Sequence, residues 1–248
     1  MTGLPTFGPG AKAAVFGASG GIGSALVDLL NRDPAVDTVF ALSRHRPDNS
    51  DDSIPWIPFD LDSEETLQTA SDRLKAGVGS LRIILVATGI LHDERGVVPE
   101  KTIKSLAGTA MDRSFKINAT GPALIAKHVA PLLSKDKKSI LVFLSARVGS
   151  ITDNEQGGWY SYRASKAALH MIVKTLSIEL RRTNPRAICV AIHPGTVHTP
   201  LSRPFVAEKA RTAMQPHDAA VYILNVINGL ELHHSGRIWD WQSKEVEP

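Results

Sequence analysis

The sequence predicts a single α/β domain in which a doubly wound, parallel sheet of about seven strands carries helices on both faces. Two hydrophobic periodicities alternate along the chain: short apolar runs rich in β-branched residues, and longer stretches whose apolar residues recur at helical spacing. The run at residues 83–87 is apolar throughout, which is typical of a parallel strand covered on both faces. Right-handed crossovers would join these units into one sheet.

This alternation assigns most of the chain to regular elements. The predicted strands are residues 13–16, 38–42, 56–59, 82–87, 140–144, 187–192 and 237–241. The predicted helices are residues 22–30, 64–75, 111–133, 161–182 and 216–230.

Two segments of the single domain at residues 1–248 lack strong periodicity. Residues 91–110 and 197–215 each follow a strand, so we expect them to border a substrate pocket, with 197–215 as the substrate loop. Residues 1–10 are expected to form a flexible N-terminal tail.

Composition and charge exclude several classes of protein. Hydrophobic residues make up 43% of the chain and charged residues 21%, which excludes disorder as the main state. The 28 basic and 25 acidic residues leave a net charge of +3, and the basic residues are scattered. Their densest cluster, residues 135–138, precedes a strand and is expected to be a solvated loop. We therefore expect no nucleic-acid partner.

Membrane and metal sites are not expected either. No apolar stretch approaches the roughly 18 residues that a spanning helix needs. The N-terminus lacks the basic start and apolar run of a secretory signal, so a cytoplasmic location is expected. Cys189 is the single cysteine, which excludes an internal disulfide or a cysteine-based zinc site, and it is expected to be buried in a strand. His233 and His234 have no nearby third ligand, so we predict no metal.

A glycine-rich turn follows the first predicted strand. Glycines 17, 21 and 23 permit a tight turn and a close approach of the backbone to a phosphate, and the following helix offers free N–H groups. Such a turn alone is equally compatible with a purely structural role, but its place at the start of a βαβ series favours phosphate binding. The predicted cofactor-binding residues of this turn are Gly17, Ser19, Gly20, Gly21, Ile22 and Gly23.

The end of the second strand predicts the choice of cofactor. In this Rossmann-type fold, an acidic residue there binds the ribose 2′-hydroxyl of NAD, whereas arginine accommodates the 2′-phosphate of NADP. Ser43 and Arg44 stand at this place and no acid does. The sequence therefore predicts NADPH in preference to NADH; the alternative is that Arg44 is only an exposed side chain.

Tyr162 and Lys166 lie four residues apart at the start of a long predicted helix, so their side chains share one face. A free tyrosine has a pKa near ~10, and a nearby ammonium is expected to lower it towards the range useful for acid–base catalysis. A solvated helix face is the alternative for this pair taken alone. Tyr160 is six residues from Lys166 and would point elsewhere.

These motifs together resemble the short-chain dehydrogenase/reductase family, and in particular its C-factor-like, small carbonyl reductase branch. The resemblance runs from about residue 11 to residue 241 and includes the stretch 145–166 and the ending 235–241. Two sites depart from the family pattern: Phe16 stands in place of the usual threonine, and Ala87-Thr88-Gly89-Ile90 stands where the family has Asn-Asn-Ala-Gly, so a glycine is kept and the asparagines are absent.

The resemblance implies roles for further residues. Asn118 would hold a water for proton relay, Lys166 would bind the nicotinamide ribose, and Asp60 would accept a hydrogen bond from the adenine amino group. The remaining cofactor contacts that it implies are Leu61, Ala87, Thr88, Gly89, Tyr162, Pro194, Gly195, Val197 and Thr199.

The position of the catalytic serine depends on the register. Counting back from Gly149 places it at Ala146, which has no hydroxyl, whereas counting along the fifth strand places it at Ser145. We choose Ser145, because a one-residue insertion in a loop is easily absorbed and the loss of an oxyanion donor is not. Ser150 is the alternative.

The sequence thus predicts an NADP(H)-dependent oxidoreductase that reduces a ketone or aldehyde, or catalyses the reverse oxidation, with Tyr162 exchanging the proton. The alternative is a cofactor-binding signalling or regulatory protein of the C-factor type with little turnover. The partner is expected to be a small carbonyl or alcohol substrate. Long helices with apolar residues on more than one face further predict a homodimer or homotetramer.

Overall fold

The computed structural model describes residues 3–47, 51–206 and 213–248, and the eight strands found there form one sheet. The strand order is β3-β2-β1-β4-β5-β6-β7-β8. The strands are β1 (Ala11–Phe16), β2 (Val36–Ser43), β3 (Trp56–Pro58), β4 (Ile83–Val86), β5 (Ser139–Leu144), β6 (Ala187–His193), β7 (Ile238–Asp240) and β8 (Glu245–Val246).

The predicted doubly wound α/β fold is confirmed, with one correction at the edge of the sheet. All seven predicted strands are present and pair in parallel. β8 is an eighth strand, which pairs antiparallel with β7. A two-residue strand is too short to show the alternation by which strands are recognised in a sequence.

The helices of the described residues are α1 (Gly21–Asn31), α2 (Glu64–Val78), α3 (Gly108–Phe115), α4 (Gly121–Val129), α5 (Tyr160–Thr183), α6 (Arg203–Val206) and α7 (Pro216–Gly229). α6 lies within residues 197–215, where the sequence shows no strong periodicity. The helix predicted at 111–133 is divided into α3 and α4 by a π-helical turn at Lys116–Thr120. Pro122 contributes to this break, because it has no N–H to donate to the carbonyl of Asn118.

Two apolar cores lie on opposite faces of the sheet. Successive strand residues point to opposite faces, so Val15 joins the core beneath α1 and α7, while Phe16 joins the core beneath α2, α4 and α5. Cys189 is fully buried in the second core, as predicted. Among the described helices, none combines the length and apolar character needed to cross a membrane.

The N-terminal segment departs from the predicted flexible tail. Leu4 and Phe7 are buried, and residues Pro5–Phe7 form a 3₁₀ turn. The backbone N–H of Leu4 donates a hydrogen bond of 3.0 Å to Asp33. From residue 3 onward the segment therefore packs against the domain. The free energy gained by burying its two large apolar side chains exceeds the conformational entropy lost by ordering this short segment.

Candidate active site

The glycine turn packs closely against the end of β4. Gly17 has a φ of 86°, and a Cβ at this residue would lie 2.9 Å from the backbone carbonyl of Ala87. A Cβ at Gly23 would lie 2.1 Å from the carbonyl oxygen of Gly17. Both positions therefore require glycine. α1 begins directly after this turn with Gly20 as its N-cap, which has no side chain to occupy the first N–H groups.

A cavity of about 240 Å³ opens beside this turn, at the carboxyl ends of β1, β2 and β4. It brings together predicted cofactor-binding residues from four separate segments of the chain. Those residues are Gly17, Ser19, Gly20, Ser43, Arg44, Asp60, Leu61, Ala87, Thr88 and Gly89. Four further lining residues were not predicted: Phe59, Ile90, Arg113 and Ile117.

The end of the cavity near β2 carries one cation and one carboxylate. The Ser43 hydroxyl donates to the carbonyl of His45 at 2.6 Å and accepts from the indole N–H of Trp56, so it is already engaged. Arg44 is exposed and makes no ion pair with the residues that the structure describes. Asp60 accepts from the N–H of Asp62 through Oδ1. Of the two residues predicted at the ribose, Arg44 is therefore the one with free donors.

Tyr162 and Lys166 occupy the first turns of α5, on one face as predicted. The ammonium Nζ of Lys166 lies 5.9 Å from the centroid of the Tyr162 ring and donates to the carbonyl of Leu144 at 3.0 Å. A Cβ at Gly89 would lie 3.6 Å from the same Nζ. Gly89 lines the cavity, so Lys166 lies directly beside it although it does not belong to the lining.

Burial, rather than the ammonium, controls the acidity of Tyr162 in this structure. Desolvation raises the pKa of the Tyr162 phenol above its usual range and lowers the pKa of Lys166 to about 8. The expected lowering of the Tyr162 pKa by Lys166 is not found here, since the ammonium is directed at the Leu144 carbonyl. Tyr162 is consequently a protonated phenol at neutral pH.

Asn118 is fully buried in the π turn between α3 and α4, and its amide joins three segments. Its Oδ1 accepts from the N–H of Ile90 at 2.8 Å, and its Nδ2 donates to the carbonyl of Ile90 and to the hydroxyl of Ser165. The side chain is thus fixed beside Gly89 and α5. These contacts do not test a role in proton relay, which stays a prediction.

The three candidates for the catalytic serine position have different surroundings. Ser145 directly follows β5 and is buried, and its Oγ lies 2.8 Å from Nε2 of His170 on α5. The hydroxyl of Ser150 accepts from the N–H of Asp153 and supports a turn. Ala146, at the position reached by counting back from Gly149, is also buried. The structure therefore gives Ser145, and not Ser150, a partner on the helix that carries Tyr162 and Lys166.

The remaining predicted cofactor residues lie at the same edge of the sheet but do not line the cavity. Gly195 has a φ of 80°, and a Cβ there would be 2.4 Å from the Met214 side chain. Thr199 reaches the glycine turn, because its Cγ2 lies 3.0 Å from a Cβ placed on Gly21. The predicted residues outside the cavity lining are Gly21, Ile22, Gly23, Tyr162, Lys166, Pro194, Gly195, Val197 and Thr199.

An aromatic contact beside Tyr162 has no signal in the sequence. Trp159 is the N-cap of α5 and adopts a left-handed conformation, with φ of 51° and ψ of 44°, at a cost of roughly 1–2 kcal/mol for a residue with a side chain. Its ring centroid lies 6.2 Å from that of Tyr162. The buried Glu100 carboxylate accepts from the backbone N–H of Ser161 and so caps the helix, which Trp159 cannot do. The sequence around Glu100 and Trp159 has no periodicity that would predict these contacts, which depend on the tertiary structure.

Comparison with known proteins establishes the class. A family model for short chain dehydrogenases matches residues 11–210. The chain is therefore an oxidoreductase of this class, and it belongs to the short-chain dehydrogenase/reductase family. The predicted family is confirmed.

Among its relatives, the C-signal of Myxococcus xanthus is 37% identical over 136 residues, which is 55% of this chain and 77% of that protein. The 1-hydroxy-2-glutathionyl-2-methyl-3-butene dehydrogenase of a Rhodococcus species is 31% identical over 72% of this chain and 73% of its own length.

Solved structures show the same fold. The carbonyl reductase Sniffer of D. melanogaster superposes with a TM-score of 0.84 at 21% identity, over 97% of this chain and 100% of that one. An NADPH-bound carbonyl reductase from chicken fatty liver gives a TM-score of 0.81 at 23% identity, over 97% and 95% of the two chains. These two structures show that the fold is shared, and the C-signal relative supports the C-factor-like branch.

Proposed function

We propose that this protein is an NADPH-dependent reductase of ketones or aldehydes, which also catalyses the reverse oxidation of alcohols. The observation that carries the proposal is the continuity of the site. The cavity runs from Arg44 at β2 to Gly89, and Gly89 directly adjoins Lys166 and Asn118. A cofactor that fills the cavity would thus extend towards Tyr162.

The residues of the cavity fit a dinucleotide. Gly17 and Gly23 keep the backbone clear where a pyrophosphate would approach, and the N-terminus of α1 offers free N–H groups to its charge. The buried hydroxyl Oγ1 of Thr88 has no hydrogen-bond partner among the described residues and is available to a ligand in the cavity that it lines. When bound, a nicotinamide cofactor supplies the hydride.

Arg44 supports NADPH over NADH. Its guanidinium is exposed at the β2 end of the cavity, where a 2′-phosphate would lie, and a forked cation matches that group. Gly20 adds no second cation. We therefore expect a moderate preference that depends on Arg44.

The side chains beside the cavity, next to Gly89, supply the proton chemistry. Tyr162 holds a proton on Oη at neutral pH, because burial raises its pKa, and it donates this proton to the oxygen of the carbonyl as that oxygen becomes an alkoxide. Lys166 is our candidate for the cation that stabilises the phenolate that remains, a role for which its Nζ must turn from the Leu144 carbonyl towards Tyr162. Lys166 also lies beside Gly89 and is our candidate for holding the ribose of the nicotinamide.

Ser145 is our candidate for the hydrogen bond to the developing oxyanion. It follows β5 directly and contacts α5 through His170. Asn118 fixes Ile90 and Ser165 around the same end of the cavity, so it positions the site, and the proton-relay water is assigned to it as a prediction.

The relationship to the C-signal of Myxococcus xanthus supports a second candidate, a cofactor-binding signalling or regulatory protein with little turnover. The intact Tyr162 and Lys166 pair favours the reductase, because pure binding does not need a phenol beside the cavity.

The oligomeric state of the protein remains a prediction. α5 exposes Met171 and Ile178 to solvent, with exposed fractions of 66% and 41%. Together with α4 it borders an apolar groove of about 660 Å³, which supports the predicted homodimer or homotetramer. The cytoplasmic location likewise stays a prediction.

The test is NADPH oxidation, followed at 340 nm, across a panel of ketones and aldehydes, with NADPH binding measured separately by calorimetry. The reductase predicts both binding and turnover. Binding without turnover on any member of the panel would favour the signalling candidate, and an absence of binding would refute both.

A further inference from the structure

Four rings form a continuous aromatic array that begins at the proposed proton donor. The Trp159 centroid lies 6.2 Å from Tyr162 and 5.6 Å from Phe205, and that of Phe205 lies 5.6 Å from His92. All three contacts are edge-to-face, with interplanar angles of 73°, 64° and 61°. We call His92, Trp159 and Phe205 the aromatic wall.

The wall is assembled at the place where a substrate would approach. His92 follows β4, Trp159 precedes α5, and Phe205 lies in α6 after β6. Because these strands are parallel, their carboxyl ends meet at one edge, where open α/β sheets bind ligands. None of the three rings belongs to either apolar core, and each is only half-buried. Ring surface therefore remains for another molecule to cover.

The wall is held in place by specific contacts at a conformational cost. The left-handed Trp159 is fixed by its backbone N–H, which donates to the carbonyl of Glu100. The ring of His92 donates from Nε2 to the carbonyl of Pro200 at 3.1 Å, which joins the segment after β4 to the segment after β6. Strain of this kind next to a reacting group is typical of a functional position.

We infer that the aromatic wall binds the substrate, and that the preferred substrates are carbonyl compounds with an aromatic ring beside the carbonyl group. Aromatic rings attract each other edge-to-face or offset because the ring edge is positive and the face negative. A saturated ring of the same size buries a similar apolar area but lacks this electrostatic attraction between rings. The wall would thus hold an aryl group while its carbonyl oxygen faces Tyr162.

This inference rests on the proposed reductase function, so its test measures binding as well as turnover. The probes are acetophenone and cyclohexyl methyl ketone, which match in size and differ in aromaticity. Affinity is measured by calorimetry on the NADP-loaded protein, and kcat/KM by NADPH oxidation. Intrinsic reactivity differs between the two ketones, so the ratio of their kcat/KM values is compared between wild type and variants.

The variants are Trp159→Leu, Trp159→Phe and Phe205→Leu. The matched control is Tyr160→Leu, an exposed neighbour on the same helix that lies outside the wall. We expect wild type to bind acetophenone more tightly than its saturated counterpart. Each leucine variant should lower the acetophenone-to-cyclohexyl ratio by about 3- to 10-fold. Trp159→Phe should restore most of it, and Tyr160→Leu should leave it unchanged.

Equal affinity of wild type for the two ketones would overturn the inference, whether or not turnover is seen. So would a loss in the leucine variants that is the same for both ketones. Tighter binding of acetophenone without any turnover would support the wall and reject the reductase. If Trp159→Leu fails to fold, Phe205→Leu decides the outcome. Trp159 is the N-cap residue of the long helix α5, whereas Phe205 lies in the four-residue helix α6.

Discussion

The Oγ of Ser145 lies 2.8 Å from Nε2 of His170, and both side chains are buried between the end of β5 and α5. His170 follows Lys166 by one turn of α5, so this contact joins the candidate oxyanion donor to the helix of the Tyr–Lys pair. Burial and the nearby Lys166 ammonium lower the pKa of His170 to about 4. A neutral imidazole therefore holds the serine at physiological pH.

The first prediction concerns Ser145 and Ser150. Ser145→Ala should lower kcat by about 10²–10³, because one oxyanion donor is lost, while the affinity for NADPH stays nearly unchanged. Ser150→Ala is the matched control, since its hydroxyl supports only a turn. Steady-state kinetics and a cofactor titration on both variants check this. Full activity in Ser145→Ala together with a large loss in Ser150→Ala would show that the register is wrong.

The second prediction concerns the cofactor. Arg44→Ala should weaken NADPH binding by about 10- to 150-fold, which corresponds to roughly 1.5–3 kcal/mol for a charge-assisted fork, and should leave NADH binding unchanged. Calorimetric titration of both cofactors measures the two effects. Arg73→Ala, on α2, serves as the control for a general loss of positive charge. Equal affinities of wild type for NADPH and NADH would contradict the assignment.

The third prediction concerns the glycine turn. Gly23→Ala should abolish NADPH binding and destabilise the protein, because its Cβ would lie 2.1 Å from the Gly17 carbonyl oxygen. Gly229→Ala, where a Cβ meets nothing within 4 Å, should leave both properties intact. Thermal melts with and without NADPH report on both. Normal binding in Gly23→Ala would mean that the turn does not carry the phosphate.

The fourth prediction concerns stability at acidic pH. Burial lowers the pKa of His170 and of His193 to about 4. Between about pH 6.5 and pH 4 the unfolded chain therefore binds more protons than the folded one, so stability falls as the pH falls through this window. From pH 7 to pH 5 the loss is on the order of 2 kcal/mol for each histidine.

Urea unfolding at the two pH values measures this loss. His170→Gln should remove about half of the pH-dependent part, whatever its effect at pH 7. A pH dependence that is the same in His170→Gln and in wild type would show that His170 titrates normally.

The sequence predicts the layered fold because parallel strands leave continuous apolar runs and helices leave a clear periodicity. It predicts the cavity equally well, because Gly17, Arg44 and Gly89 each stand at a strand end and such ends meet in space. It does not predict the π turn at Asn118, because the apolar spacing of residues 111–133 continues across it.

The aromatic wall could not be predicted for a different reason. His92 reaches the carbonyl of Pro200 across 108 positions of sequence, and Trp159 leaves the usual backbone conformation without any local signal. Likewise the packing of Leu4 depends on Asp33, which is distant in the chain. Contacts of this kind follow from the assembled fold rather than from any segment of it.

In the proposed NADPH-dependent carbonyl reduction, Tyr162 transfers the proton. The most direct measurement compares carbonyl-dependent NADPH oxidation in wild type, Tyr162→Phe and Tyr160→Phe, at equal cofactor saturation. We predict that Tyr162→Phe lowers kcat by at least about 10²–10⁴ while NADPH affinity is retained, and that Tyr160→Phe behaves as wild type. Turnover in Tyr162→Phe equal to that of wild type would contradict the account.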